Sequence, residues 1–147
     1  MPSAIGILSR AIMKRWDDVA LDGTFTGGIW NDETPRDKKL PYVVFAIPDG
    51  GSVEGRSVNP GDSGLRRRVQ MTQVEFDVYE RGRSNAGTLA DLLIKHFDDK
   101  PLPVEDDDAG VLGVRYFNDY CLRQSETVYR WVIIFEIRYW VYERVSS

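Results

Sequence analysis

Residues 128–143, VYRWVIIFEIRYWVYE, form an uninterrupted run without Gly, Pro or Asn. The run is rich in β-branched and aromatic residues, which suit a pleated surface, so it predicts a single long β-strand. At about 3.3 Å per residue the strand extends for roughly 50 Å, more than the core of one small domain is expected to cover. A strand of this length therefore predicts that a partner covers part of it.

Alternate residues of this run form two unlike faces. The odd positions are an apolar stripe that predicts the core face: Tyr129, Trp131, Ile133, Phe135, Ile137, Tyr139 and Val141. The even face mixes charged residues with large apolar ones. For Val132 and Ile134 we expect a second layer of the same chain, with a partner as the alternative. For Trp140 and Tyr142, near the end of the strand, we expect a partner surface.

The chain of 147 residues has the length of one domain, and its 42% hydrophobic and 29% charged residues are typical of a soluble globular protein. The net charge of -4 argues against a general nucleic-acid binder. The single Cys121 forms no internal disulfide and fits a reducing compartment. Neither a membrane span nor the basic-then-apolar order of a signal peptide is present, so we expect synthesis into a cytoplasm.

Hydrophobic spacing predicts two amphipathic helices, at residues 4–21 and at about 85–98. Strands are predicted around GIWND, YVVFAIP, RRRVQMTQVEFDVYERG and VLGVRYFNDYCLRQ, the last forming an antiparallel hairpin with the final strand. The resulting order is αβββαββ. It predicts an α+β fold with a mainly antiparallel sheet, two helices packed on it, and one domain over 1–147.

Residues 48–65, PDGGSVEGRSVNPGDSGL, carry five glycines and two prolines and predict a long flexible loop. In the strand that follows, the apolar alternation changes parity between Met71 and Val74. A β-bulge or a strong bend near Thr72 and Gln73 would restore it.

Two short motifs suggest ligands only weakly. GGSVEGRS has the spacing of a P-loop, but Arg56 stands where the motif has Lys, and VNPG blocks the helix that would hold a phosphate. The acidic run EDDD at 105–108 lacks the alternating ligands of an EF-hand. We therefore expect a flexible loop and a solvated acidic linker, with no cofactor and no metal.

Candidate catalytic groups are few. His96 is the only histidine and lies one step off the apolar face of the second helix, and Cys121 lies in a strand. Helix surface and a small buried hydrophobe are the favoured interpretations. The alternative is a small hydrolase or transferase in which Cys121 is the nucleophile and His96 the base.

Arg66, Arg67 and Arg68 follow the Gly-rich loop and are candidates for contact with phosphates or an acidic partner. Adjacent residues of a strand point to opposite faces, so the three side chains do not converge. With Trp140 and Tyr142 they make up the candidate interface residues. A nucleic-acid accessory protein is a third alternative, which the acidic balance of the chain disfavours.

The stretches LPYVVFAIPDG and VQMTQVEFDVYERGRSNAGTLADLLIKHF, with the closing aromatic strand, resemble the bacteriophage tail-completion family of tail-terminator and head-to-tail joining proteins. The resemblance covers nearly the whole chain, whereas the Gly-rich loop and the EDDD linker depart from the family. It implies a single tail-terminator-like α+β domain without catalytic residues.

The resemblance further implies a hexameric ring in the virion neck that stops tail-tube polymerisation and joins the tail to the head. The partners it implies are other copies of the chain, the tail tube protein and the head connector or head-closure protein. DNA would be passing cargo, no membrane would be involved, and assembly would take place in the host cytoplasm. The alternative within this neck region is a head-closure protein.

Overall fold

The computed structural model describes residues 4–33, 35, 39–48, 52–57 and 65–144. These residues contain two α-helices and six β-strands. A short 3-10 helix, Leu21–Gly23, follows the first α-helix. In chain order the elements are α1 Ala4–Asp18, β1 Ile29–Asn31, β2 Tyr42–Ala46, β3 Ser52–Ser57, β4 Leu65–Arg81, α2 Arg83–Phe97, β5 Ala109–Arg123 and β6 Val128–Arg144. The predicted α+β class is confirmed. None of the described helices is both long enough and apolar enough to cross a membrane.

The strands form one sheet in the order β1-β2-β4-β6-β5, and β3 pairs with β4 beside β2. β1 and β2 are parallel, and every other pairing is antiparallel. β4 and β6 are both 17 residues long and pair along their whole length, from Leu65↔Arg144 to Arg81↔Val128. β6 is therefore an interior strand, and the edges of the sheet are β5 on one side and β1 with β3 on the other.

Both α-helices pack on the face of the sheet that carries the odd residues of β6. The Phe135 ring, fully buried, lies 6.2 Å from the ring of Phe97 in α2 and 5.5 Å from that of Phe76 in β4. Leu8 of α1 belongs to the same buried core cluster as Tyr139. The odd residues of β6 thus form the core face, as the sequence predicts. We call this the helix face and the opposite side the open face.

Both described helices lie on the helix face, so neither forms the second layer expected over Val132 and Ile134 on the open face. Val132 is nevertheless completely buried. Asp77 of β4 and Tyr120 of β5 are its register partners on either side. Because directly opposed residues of an antiparallel pair stand about 5 Å apart on the same face, these neighbours flank Val132 without a second layer.

The predicted loop at 48–65 contains the strand β3, so the element order has one strand more than predicted. β4 extends past the end of β2, which would leave backbone donors and acceptors of β4 unpaired. β3 pairs there, with Ser52 opposite Met71 and Ser57 opposite Arg68. Backbone pairing of this kind requires no apolar side chains, which explains the missing sequence signal. Residues 49–51 and 58–64 of the predicted loop lie outside the described residues.

Of the bulge or strong bend predicted near Thr72 and Gln73, the bulge is wrong, because the register between β4 and β6 is continuous. The parity change has another cause. Val69 lies on the open face, in register with Trp140, whereas Val74 lies on the helix face in register with Phe135. The two halves of β4 thus place their apolar residues on opposite faces without any irregularity in the strand.

Candidate assembly surfaces

Three of the five predicted interface residues meet on the open face at one end of the sheet. The guanidinium carbon of Arg67 lies 4.5 Å from the centre of the Trp140 ring and 5.8 Å from that of Tyr142. The two rings pack edge to face with their centres 5.1 Å apart. A cation over an aromatic face is attracted by the ring quadrupole, so the three side chains stabilise one another. We call Arg67, Trp140 and Tyr142 the arginine–aromatic cluster.

Of the remaining two arginines, Arg68 lies on the other face from this cluster. Arg68 is the register partner of Val141 and therefore lies on the helix face. Arg66 pairs through its backbone with Glu143, and its side chain falls outside the described part of the structure. Arg67 and Arg68 thus diverge, as the alternation of a strand requires.

Trp140 is half-buried by its own chain, which reduces the surface left for a partner. It is the register partner of Gly110, and a Cβ atom on Gly110 would lie 2.4 Å from the Trp140 Nε1 atom. Only a glycine therefore permits the indole to lie against β5 here. This contact was not predicted, since no local pattern links two residues thirty positions apart.

Exposed large hydrophobic side chains of the described residues concentrate on β5, at the edge of the sheet. Of the exposed large hydrophobic residues in the described part of the chain, all but Met13 belong to β5: Leu112, Phe117, Tyr120 and Leu122. Leu112 and Phe117 are 57% and 55% exposed and occupy the two register shifts between β5 and β6. A bulge re-aims a side chain and interrupts pairing, which explains why these two residues point outward.

This apolar edge was missed in the sequence, although a signal exists. The doublets Val111–Leu112 and Tyr116–Phe117 each break the alternation expected of a strand. Such doublets indicate β-bulges. At a bulge the alternation of the strand no longer predicts whether a side chain faces the core or the solvent.

The middle of the free edge of β5 is closed by residues that follow α2. The backbone N–H of Asp99 donates to the carbonyl of Val114 at 2.9 Å. The backbone N–H of Tyr116 donates to the Asp98 carboxylate at 2.7 Å. These bonds satisfy edge groups that would otherwise accept another strand. The part of the edge from Phe117 onward is not closed in this way by the described residues.

Two acidic residues, the buried Asp77 and the partly exposed Glu75, lie on the open face in the middle of β4. The Arg130 guanidinium donates to the Asp77 Oδ2 atom, with Nε at 2.9 Å and Nη2 at 2.8 Å, and Nη2 lies 3.6 Å from the Glu75 carboxylate. The Asp77 Oδ1 atom is buried without a hydrogen-bond partner among the described residues. Burial, then the hydrogen bond and charge of Glu75, raise the pKa of Asp77 to about 7, and Arg130 opposes this rise.

The proposed Cys121 and His96 pair is not assembled. Cys121 is the register partner of Trp131, and a Cβ on Gly87 of α2 would lie 3.1 Å from the Trp131 ring. His96 lies nine residues further along α2, a distance of about 14 Å at 1.5 Å per residue. Burial, then the charge of Arg15, lowers the pKa of His96.

The acidic linker offers no metal site within the described residues, where no three potential ligands cluster. Asp106 accepts the backbone N–H of Asp108 at 2.8 Å, which holds a local turn. Glu105 and Asp106 line a cavity of about 170 Å³ together with Arg10 and Lys14 of α1. The linker is therefore placed beside basic groups of the same chain.

Comparison with known proteins places the chain in a family. Two solved chains share its fold at low sequence identity. One is a chain of the virion of a native gene transfer agent particle, with a TM-score of 0.64, 15% identity, and coverage of 95% of this chain and 99% of that chain. The other has a TM-score of 0.51 and 18% identity, and covers 96% of both chains. No curated protein sequence matches the chain.

The family model for the tail completion protein gp17 matches residues 16–140, so the chain belongs to this family and is a structural protein of phage tails rather than an enzyme.

Proposed function

We propose that the chain is a tail terminator that forms a ring of six copies on the end of the tail tube. The ring ends tube polymerisation and joins the tail to the head connector. Family membership supports the place in the tail. The number six and the terminator role come from the resemblance of the sequence to tail-terminator proteins.

The observation that carries the proposal is the apolar edge strand β5. A monomer rarely leaves a contiguous apolar patch of several hundred Å² open to water, and larger patches mark interaction sites. Four large side chains are exposed along this one strand of fifteen residues. A neighbouring subunit that covers β5 would remove this surface from water.

The mechanism is stereochemical. A head-to-tail contact between identical subunits closes into a ring when the rotation between neighbours divides the circle. One side of such a ring matches the last ring of the tube, and the other side, which does not repeat that surface, stops further addition. This second side faces the head connector, and DNA passes through the opening as cargo. No step requires a membrane, and the ring assembles in the host cytoplasm before it becomes part of the virion neck.

The proposal is tested by removing the chain from an otherwise complete phage and imaging the particles. We expect tail tubes that exceed the normal length and do not join heads. With the chain restored, images of the neck should show six copies between tube and connector. Absence of the chain from the virion would refute the structural role.

The same images distinguish the alternative role in head closure. Without a head-closure protein, tails keep their normal length while filled heads fail to retain DNA or to accept tails. This outcome would replace the terminator role but keep the place in the neck. A ring of another order would correct only the number of copies.

A further inference from the structure

We propose that the lower part of the β5 edge, residues 117–123, docks on the β1 edge of a second copy of this chain. The inference rests on the proposed ring and deepens it, because it names the two surfaces that meet between neighbours. The apolar residues Phe117, Tyr120 and Leu122 would be covered by this contact, and each is exposed by more than two fifths.

Strand directions favour this contact. β5 is antiparallel to β6, β6 to β4, and β4 to β2, whereas β1 is parallel to β2. β5 and β1 therefore run in opposite directions at the two edges of one sheet. If neighbouring copies are related by a rotation that preserves strand direction, β5 of one copy meets β1 of the next in the antiparallel sense. The contact then continues the antiparallel pattern of the sheet.

The two edges are also at the same height in the sheet. Across the sheet, a row of directly opposed residues connects β1 to β5. In order, its members are Asn31, Phe45, Phe76, Ile133 and Asp119. β1 is thus level with the part of β5 that remains open. Pairing higher on β5 is blocked at Val114 and Tyr116 by the hydrogen bonds from the residues after α2, which explains why the proposed contact begins at Phe117.

Charge at the two edges is complementary. Asp32 and Glu33 follow β1 and are exposed, and Arg115 of β5 is exposed. β1 ends at Asn31, and Asp32 has a φ of 56°, so the two acids lie just past the end of β1 that is nearer to the level of Arg115 in the sheet. Opposite charges placed across an interface set its register and its choice of partner. A second copy supplies this acidic edge without any further protein.

The size of the surface is consistent with a small subunit contact. Aromatic side chains bury about 150–250 Å² each, so a half-exposed Phe117 and Tyr120, together with Leu122, leave a few hundred Å² open. A patch of this size is about as large as a monomer leaves exposed, and such patches are often functional. A contact this modest does not hold copies together in dilute solution, and the end of the tube would serve as the template.

A crosslinking experiment in assembled particles tests the contact. The phage is made with Asn31→Cys and Asn118→Cys in a Cys121→Ser background, and its tails are treated with a short bismaleimide. Both asparagines are exposed and lie at nearly the same level of the sheet. We expect a ladder of covalent oligomers extending to the whole ring, because each head-to-tail copy links two neighbours. Each single cysteine, and Asn31→Cys combined with Lys95→Cys on α2, should give no ladder.

Other outcomes overturn the inference. Dimers alone would indicate a two-fold contact, and crosslinks to the tube protein would show that the tube occupies the edge. A six-copy ring seen by imaging without any ladder would refute the contact while leaving the proposed function intact, whereas absence of a ring would refute both.

A pair of charge substitutions gives an independent readout. Phe117→Lys should reduce incorporation into tails at least tenfold without lowering the thermal unfolding temperature. Met13→Lys is the matched control, since Met13 is an exposed hydrophobic residue on α1, away from the edge. Equal incorporation of the two variants would contradict the proposed surface.

Discussion

Replacing Asp77 by Asn should stabilise the subunit more at pH 8 than at pH 5. The pKa of Asp77 is raised from 3.8 to about 7, first by burial and then by the carboxylate of Glu75. A raised pKa means that the folded chain holds the proton more tightly than the unfolded chain. The stability that this proton provides is complete below about pH 4 and is lost as the pH rises toward 7.

The magnitude follows from the size of the shift. About three pKa units at about 1.4 kcal/mol each give about 4 kcal/mol as the upper limit of the loss between pH 4 and pH 8. Because Glu75 and Arg130 share the charge with Asp77, the observed loss should be smaller. Asn has nearly the same shape and does not ionise, so the variant should lose this pH dependence.

Urea denaturation of both chains at pH 5, 6, 7 and 8 measures the effect. The wild-type free energy of unfolding should fall across the series relative to that of Asp77→Asn. Glu75→Gln is the matched variant, since it removes the neighbouring charge that helps to raise the pKa of Asp77, and should give an intermediate slope. A variant less stable than wild type by the same amount at every pH would show that the ionised Asp77–Arg130 pair dominates, and would refute the reasoning.

Three further outcomes are expected. Phe135→Ala should cost about 3–5 kcal/mol in denaturant unfolding, and the exposed Phe117→Ala less than about 1 kcal/mol; the reverse order would mean that the faces of the sheet are inverted. Gly110→Ala should shift the Trp140 indole N–H resonance in NMR spectra and cost about 1–3 kcal/mol, because the added Cβ would lie 2.4 Å from Nε1; an unchanged resonance would contradict that contact. Trp140→Glu and Tyr142→Glu should weaken incorporation into tails more than thermal stability, and an equal loss of both would argue against an interface at these residues.

The sequence predicts what depends on short-range periodicity. The alternation in β6 identifies the helix face correctly, because Ile133, Phe135 and Ile137 are all apolar and all buried. It does not predict what depends on pairing between distant segments. Arg130 meets Asp77 across 53 positions of the chain, and no local pattern marks either residue as a partner of the other.

β3 and the edge of β5 show two other limits. β3 is held by backbone pairing to β4, so its glycine-bearing sequence, SVEGRS, resembles that of a loop. β5 was correctly predicted as a strand, but which of its residues face water depends on two bulges. A single shift of register exchanges the faces of all the residues that follow it. The alternation in β6 led to Trp140 and Tyr142 as candidate interface residues. Phe117 was missed because its exposure depends on a bulge in β5.

The length of β6 suggests a partner, but its position in the sheet moves that requirement elsewhere. β6 is paired along one side with the whole of β4 and along the other with β5, so its backbone groups are satisfied within the chain. The open edge lies instead on the outer side of β5, which has no neighbouring strand among the described residues and is the edge that the proposed neighbour covers. The two closing bonds at Val114 and Tyr116 prevent this edge from pairing along its full length. An edge that is closed in its middle and apolar beyond it resists indiscriminate strand addition while still offering a defined contact, which is what the proposed ring subunit at the end of the tail tube requires.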